Sequence, residues 1–547
     1  MTLSPFLGRQ LPLAWILLAG ILFVFSFAPW DLGQLQWLCW APFFIGIHLL
    51  EKQESTLVRL FLGASIMSLI ICTGGFYWIV HATQEYGGLP LPAALMLFIL
   101  FCVIGQLQIP IFVLIRHHVR KRLPFRDRPW LWIAFSGFVY AGVDSLYPKL
   151  FLDTAGHAFY RENHFRQVAD MGGPFLLSAL SVAAGEMLFH AFLGRKNKSK
   201  LHTFTPLAAF LLLLSCLYGY GSWRLNQLQQ LESAQDRGDS LKVAMIQANI
   251  GDFLKIEAER GSEGASRQVI SQYLNLSREA HRKTPDLDAV LWPETAYPGL
   301  FGHAGSPLEA SMESSLRDFS KEFGGWTLFG GYDQANAVDY NSLFFLSPQA
   351  KTETYHKNIL LMFGETLPFA EYFPEMRSWF PTMGFFGRGP GPQVFTVQNR
   401  KGTPFKLAPS ICYEGLFPEH SAQGAFLGAD ALVNITNDSW FGPKGEPFLH
   451  LALTTFRSIE TRLPMIRSTN TGFTVVISPT GEITRSTLLN SAGDLTTEIH
   501  PRPGITTPFM EVSRVFGATW FARACQMVLA WVLFLGVRRK SAARHMP

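Results

Sequence analysis

Apolar and polar residues are distributed along this chain in two regimes. From residue 11 to 221 charged residues are confined to short clusters between long apolar runs, whereas from 240 to 510 they are interspersed throughout. Runs of near-spanning length predict membrane helices at about residues 11 to 28, 34 to 50, 57 to 80, 90 to 115, 130 to 147, 174 to 193 and 202 to 221, and one more at about 516 to 537. The first run continues into FSFAPW without a small-residue cleavage site, so it reads as an anchor and not as a cleaved signal. Between 240 and 510 the pattern changes to short β-rich runs: VAMIQANI, AVLWPET, WTLFGGY, SLFFLSP, FKLAPSICYE, ALVNITND and PMIRSTNTGFTVVIS. Helical stretches fit about 264 to 282, 308 to 323 and 447 to 463 between them, which makes this segment α/β. The expected organisation is a membrane domain over 1–221, an extramembrane domain over 222–515, and a last membrane helix with a basic tail over 516–547.

Composition agrees with two solvents. Of 547 residues 48% are hydrophobic and 16% charged, well below the ~25% charged of ordinary soluble domains. The net charge of +5 is small for this length and gives no electrostatic support for nucleic acid binding. The basic segments RHHVRKRLPFRDR (116–128), RKNKSK (195–200) and RRK (538–540) are expected on the cytoplasmic side. With Arg9 also inside, seven crossings place the large segment outside the cytoplasm. Cys39, Cys72, Cys102, Cys216 and Cys525 fall in apolar runs, so Cys412 is the only cysteine of the extramembrane segment. It has no intramolecular partner there and can stay a free thiol.

Several strands end in a polar or reactive residue after an unbroken apolar run. Glu294 follows AVLWP, Cys412 follows LAPSI, and Asn437 and Asp438 follow ALVNIT. Ligands of open α/β sheets bind beyond the carboxyl ends of strands, so these tips point to one crevice. Lys357, in TYHKNILLMFGET, enters an apolar stretch that ends in Gly364 and Glu365. No zinc signature or phosphate-binding glycine loop is present, and His117 and His118 in a basic segment make a poor metal pair. His303, His356, His420 and His450 offer alternative bases for a Cys–His enzyme, but none lies in a recognisable protease motif.

Glu294 in WPET, Lys357 in KNILLMFGETLPF and Cys412 in CYEGLFP are ordered and spaced like the Glu, Lys, Cys triad of the nitrilase superfamily. With VNITNDSWFG, MIRSTNTGFTVVISPTGE, FAPWD and membrane runs on both sides, the chain resembles the bacterial apolipoprotein N-acyltransferases, the membrane-anchored branch of that superfamily. The resemblance implies an α-β-β-α sandwich beside a multi-span helical domain, in the bacterial inner membrane, with the catalytic domain on the periplasmic side. It implies transfer of an acyl chain from a phospholipid, through a thioester on Cys412, to the α-amino group of a diacylated lipoprotein, with no cofactor or metal. Glu294 is then the base, Lys357 and the backbone N–H of Tyr413 the oxyanion donors, and Glu365 and Glu414 supports for Lys357. Trp440 is expected at the site wall. The aromatic-rich stretch from Leu367 to Arg388, with Trp379 and Phe380, is expected either to pack as core or to act as an arm admitting acyl chains. Two rivals remain open: a membrane-tethered amidase or nitrilase with water as final acceptor, and a non-catalytic transporter or scaffold.

Overall fold

The structure, a computed structural model, describes residues 5–53, 56–85, 87–122, 129–196, 200–234, 238–259, 261–367, 372–373, 375, 385–500 and 505–544. The chain divides into two compact units: one of Met1–Leu228, Phe448–Phe456 and Pro508–Pro547, the other of Gln229–Pro447 and Arg457–Thr507.

The first unit is helical. Trp40, Phe43, Phe44, Phe112, Tyr140 and Phe189 form the centre of its core. Among the described residues four helices are long and apolar enough to cross a membrane: Leu57–Gly75, Leu91–Lys121, Phe165–Lys196 and Lys200–Ser233. A fifth is formed if Pro508–Phe516 and Trp520–Gly536, bent by 69°, count as one span. This is fewer than the eight runs read from the sequence, for reasons of length and polarity. Trp40–Lys52 has 13 residues, about 20 Å of helix against a hydrocarbon core of ~30 Å. The apolar part of the first helix, Gln10–Ser26, is also short, and Pro129–Leu146 carries the buried Asp144. The candidate span Leu91–Lys121, the single run expected at 90 to 115, consists of two pieces, Leu91–Ile104 and Gln108–Arg122, around a turn at 105–107. The run expected at 57 to 80 ends at Gly75, and Ile79–Glu85 is a separate helix. Helix Ala169–Lys196 is kinked at Gly172 and Gly173, ahead of Pro174, whose missing N–H breaks the hydrogen-bond ladder.

Arg116, expected to open a basic loop, lies instead inside helix Gln108–Arg122 and is fully buried. Its Nε donates to Glu186 Oε1 at 2.7 Å and its Nη2 to Oε2 at 3.2 Å. Trp132 Nε1 adds a third bond to Oε1 at 2.8 Å. A buried charge is tolerated when it is paired and hydrogen-bonded in this way.

The second unit holds two six-stranded sheets. The strands are β1 (Leu241–Gln247), β2 (Ala289–Leu291), β3 (Trp326–Ala335), β4 (Val338–Leu346), β5 (Thr352–His356), β6 (Phe395–Gln398), β7 (Pro404–Ile411), β8 (Ala431–Thr436), β9 (Met465–Thr469), β10 (Val475–Ile477), β11 (Ile483–Ser486) and β12 (Gly493–Ile499). Their order is β12-β1-β2-β3-β4-β5 in one sheet and β11-β10-β9-β8-β7-β6 in the other. Each sheet has three adjacent parallel strands, β1-β2-β3 and β7-β8-β9, flanked by antiparallel ones. The parallel strands are buried along most of their length, which is why they read as unbroken apolar runs. Helix Glu263–Lys283 presents Ala265, Val269, Tyr273 and Ala280 at helical spacing to the first sheet. Helix Pro307–Phe323 joins the same core through Leu316, Phe319 and Phe323. Helix Pro418–Phe426 packs on β7 of the other sheet. The arrangement is the expected helix–sheet–sheet–helix layering.

Candidate active site

Two strand ends carry left-handed backbone. Beyond β2, Glu294 is followed by Thr295 at φ +49°; beyond β7, Cys412 itself has φ +51° and opens the tight turn Cys412–Leu416. Positive φ is uncommon outside glycine and an outlier for β-branched threonine, so such residues persist only where their surroundings hold them. Gly330 of β3 makes the first turn possible, since a Cβ there would stand 2.5 Å from the Pro293 carbonyl and 2.6 Å from Glu294 Cα.

The turns deliver their side chains into a connected set of hydrogen bonds. Glu294 Oε1 accepts from Asn341 Nδ2 at 2.8 Å and from Lys357 Nζ at 3.3 Å, and Oε2 accepts from the Asn437 backbone N–H at 3.0 Å. Lys357 Nζ also donates to Glu365 Oε1 at 2.8 Å, as does Asn341 Nδ2 at 2.8 Å. The Lys357 backbone N–H donates to the Asn341 carbonyl at 2.9 Å, so Asn341 holds the lysine's main chain directly and, through its side chain, the two carboxylates that pair with the ammonium. Glu365 is itself anchored by the Leu361 N–H on Oε2 at 2.8 Å. Burial alone would drive Lys357 toward neutrality, but Glu365 and then Glu294 outweigh it and hold the ammonium above the usual lysine range. Burial pushes the Cys412 thiol well above the usual cysteine range. The charge of Glu294 pushes the same way, Lys357 and the Thr436 hydroxyl pull back, and the resting thiol stays neutral.

Glu414 does not meet Lys357 through any described hydrogen bond or ion pair. It is fully buried, with Oε1 accepting the N–H groups of Asn358 (2.5 Å) and Ile359 (3.1 Å) and Oε2 accepting Ile411 N–H (2.7 Å) and Tyr355 Oη (2.8 Å). It therefore ties the chain just after Lys357 to the chain just before Cys412. Tyr413 is buried against Phe417, ring centroids 5.1 Å apart, and its backbone N–H follows Cys412 directly. Trp440 stands beside Asn437: the Asn437 amide satisfies its neighbours with its oxygen toward Trp440 Nε1, 2.7 Å away. Trp379 and Phe380 lie outside the described residues. On either side of that segment's start, Phe363 is 64% and Tyr372 78% exposed, whereas Phe386 near its end is half-buried and stacks on Tyr332.

Three supports were not singled out from sequence. Asn341 is one. Asn434 of β8 donates from Nδ2 to the Cys412 carbonyl at 3.4 Å and to Ser410 Oγ at 3.0 Å. Arg467 of β9 donates from Nη1 to Asn434 Oδ1 at 2.8 Å and from Nη2 to Asp438 Oδ2 at 3.1 Å. An arginine inside a fully buried strand was the available signal for the last. Three of the four alternative bases are engaged elsewhere: His303 and His356 with Asp333, and His420 with the Pro409 carbonyl. A neutral thiol beside a carboxylate, with an ammonium bridging two acids, is suited to nucleophilic acyl transfer with the carboxylate as proton carrier.

Two family models match the chain: the N-terminal domain of apolipoprotein N-acyltransferase over residues 19–186, and carbon-nitrogen hydrolase over residues 242–502. The apolipoprotein N-acyltransferase of Bdellovibrio bacteriovorus is 31% identical over 492 residues, covering 87% of this chain and 86% of that protein. The chain belongs to the apolipoprotein N-acyltransferase family. Other members of the family align over nearly the full length. That of Geobacter metallireducens is 29% identical and covers 96% of this chain and 95% of its own; that of Pseudomonas putida is 28% identical and covers 97% of each. With its four or five apolar helices of spanning length, this family member is a membrane protein. Glu294, Lys357 and Cys412 lie within the residues that the hydrolase model matches.

Proposed function

We propose that this chain N-acylates lipoproteins by a two-step transfer through Cys412. In the first step Glu294 takes the thiol proton as Sγ attacks the ester carbonyl of a phospholipid. Lys357 and the Tyr413 backbone N–H stabilise the tetrahedral oxyanion, a contribution worth ~3 kcal/mol per donor in comparable sites. Collapse breaks the ester C–O bond, and Glu294 returns its proton to the leaving glyceryl oxygen. In the second step the α-amino group of a diacylglyceryl-cysteine attacks the thioester, Glu294 accepts the amine proton, the C–S bond breaks, and Glu294 returns the proton to Sγ to regenerate the thiol.

The observation that carries this reading is the contact of Glu294 with Lys357 beside a thiol kept neutral by burial, because such a nucleophile needs a local base. Lipid substrates suit an enzyme whose chain also spans the membrane. Helix Lys200–Ala234 starts at the basic RKNKSK segment, and helix Trp520–Arg544 runs through the basic RRK. Both lead from a basic end to the segment between them, which favours placing that segment on the side opposite the cytoplasm, the periplasmic face of the inner membrane. The deciding experiment supplies purified protein with phospholipid and a synthetic diacylated lipopeptide. Conversion to the triacylated peptide is expected. Release of free fatty acid at the same rate with and without the peptide would instead favour the hydrolytic reading.

A further inference from the structure

A second buried lysine stands beside the site. Lys255, on the short helix Asp252–Glu259, is only 8% exposed, and an ammonium so desolvated needs strong local bonds to be tolerated. Its Nζ donates to Thr295 Oγ1 and, with the Asn437 amide in the orientation that satisfies its neighbours, to that amide's oxygen at 2.6 Å. Both acceptors adjoin the base. Thr295 is the next residue after Glu294 and holds the strained φ of +49°. Asn437 supplies the backbone N–H on Glu294 Oε2, the carboxylate oxygen that Lys357 does not touch. The segment leading to Lys255 is pinned in turn by Asn470, whose side chain bonds both the N–H and the carbonyl of Ile250, each at 2.9 Å. A small cavity lined by Lys255, Tyr273, Thr295 and Asn470 lies alongside, so the ammonium is not wedged in place by apolar packing alone.

We propose that Lys255 is a positioning residue for Glu294: it clamps the strained turn that aims the carboxylate and sets a positive charge behind it. The inference rests on the triad reading above. Two effects follow from losing the ammonium. Thr295 is free to relax toward negative φ, which swings Glu294 away from Cys412. The Asn437 amide also loses its cationic donor, which loosens the residue whose backbone N–H holds Glu294 Oε2.

The test is the steady-state kinetics of acyl transfer in the full-length protein with phospholipid and lipopeptide. Lys255→Met, neutral and similar in length, is expected to lower kcat about 10- to 100-fold. KM for the phospholipid should stay within about twofold. Lys255→Arg keeps a charged donor for Thr295 and Asn437 and should retain most of kcat. Adding Thr295→Gly to Lys255→Met should recover part of kcat, because glycine adopts positive φ without strain. Should Lys255→Met fail to fold, Thr295→Ala removes only the hydroxyl that Lys255 grips, and is expected to lower kcat with KM unchanged. A Lys255→Met enzyme with the original kcat overturns the inference, and so does one whose only change is a lower melting temperature. Glu294→Gln and Cys412→Ala run alongside: if they remain active, it is the triad reading that fails.

Discussion

Replacing Glu414 by glutamine separates two roles that its place in the CYEG motif leaves confounded. Its carboxylate serves four donors, and an amide has only one acceptor oxygen. If the amide nitrogen takes the place of Oε1, the N–H groups of Asn358 and Ile359 both lose their acceptor. If it takes the place of Oε2, the Ile411 N–H loses its acceptor and the Tyr355 hydroxyl must turn round to accept. The second orientation costs less. It leaves one buried backbone N–H unsatisfied, about 1–3 kcal/mol, and reduces the remaining charge-assisted bonds to neutral ones, for a total of roughly 3 kcal/mol. At about 2–4 °C per kcal/mol for a domain of this size, the melting temperature should fall by roughly 6–12 °C. Because Ile411 precedes the strained Cys412, the same change should slow formation of the acyl-enzyme from phospholipid about tenfold or more. Thermal unfolding followed by tryptophan fluorescence in detergent, with acyl-enzyme formation measured on the same samples, reads both quantities. A variant within about 2 °C of the parent that acylates at the parental rate would refute the reasoning.

Three further outcomes are expected. Glu294→Gln removes a negative neighbour that helps hold the Cys412 thiol up, so the midpoint of iodoacetamide alkylation against pH should move down even as acyl transfer is lost; a midpoint that rises would contradict the electrostatics of the site. Burial raises the Glu460 carboxyl to about 7, so its contribution to stability is fully present below the unfolded pKa and is lost as pH rises through about 7. Glu460→Gln should therefore suffer a smaller loss of stability between pH 5 and pH 8 than the parent, by up to about 3 kcal/mol, and equal losses in urea titrations would argue against it. Cysteines introduced at the exposed Ser486 should react with membrane-impermeant maleimide in cells with a permeabilised outer envelope. Those at the exposed Lys196 should react only after the inner membrane is opened, and the reverse pattern would invert the proposed orientation.

The central strands of both sheets were legible because burial on both faces writes an uninterrupted apolar run. The four strands that no run announced, β5, β6, β11 and β12, are the four edges of the two sheets. TETYH and ITRS are half-exposed and polar, as edges must be to resist pairing with other chains, and local pattern does not separate them from loops. The helices Glu263–Lys283, Pro307–Phe323 and Glu446–Thr461 fall within a residue or two of their expected bounds; the first two bury one face at helical spacing, and the third is buried at nearly every position. Within the site, Glu294, Cys412 and Asn437 were legible as polar tips on apolar strands. Lys357 was legible as a charge entering an apolar stretch. The partners of Glu414 were not legible, because they are backbone N–H groups at 358, 359 and 411, and long-range main-chain contacts leave no residue-type signature. Asn341 was hidden in the polar half of β4, and Arg116 behind a basic segment that only its burial against Glu186 sets apart.

The claim at the centre of this account is that Cys412 carries the acyl chain between donor and acceptor. Intact-protein mass spectrometry after incubation with a phospholipid of defined acyl composition tests it most directly. The protein should gain the mass of one acyl group, lose it to neutral hydroxylamine or to added diacylated lipopeptide, and gain nothing when Cys412 is alanine. Turnover to triacylated peptide by the Cys412→Ala protein, or an adduct on a residue other than Cys412 that the peptide discharges, would contradict it.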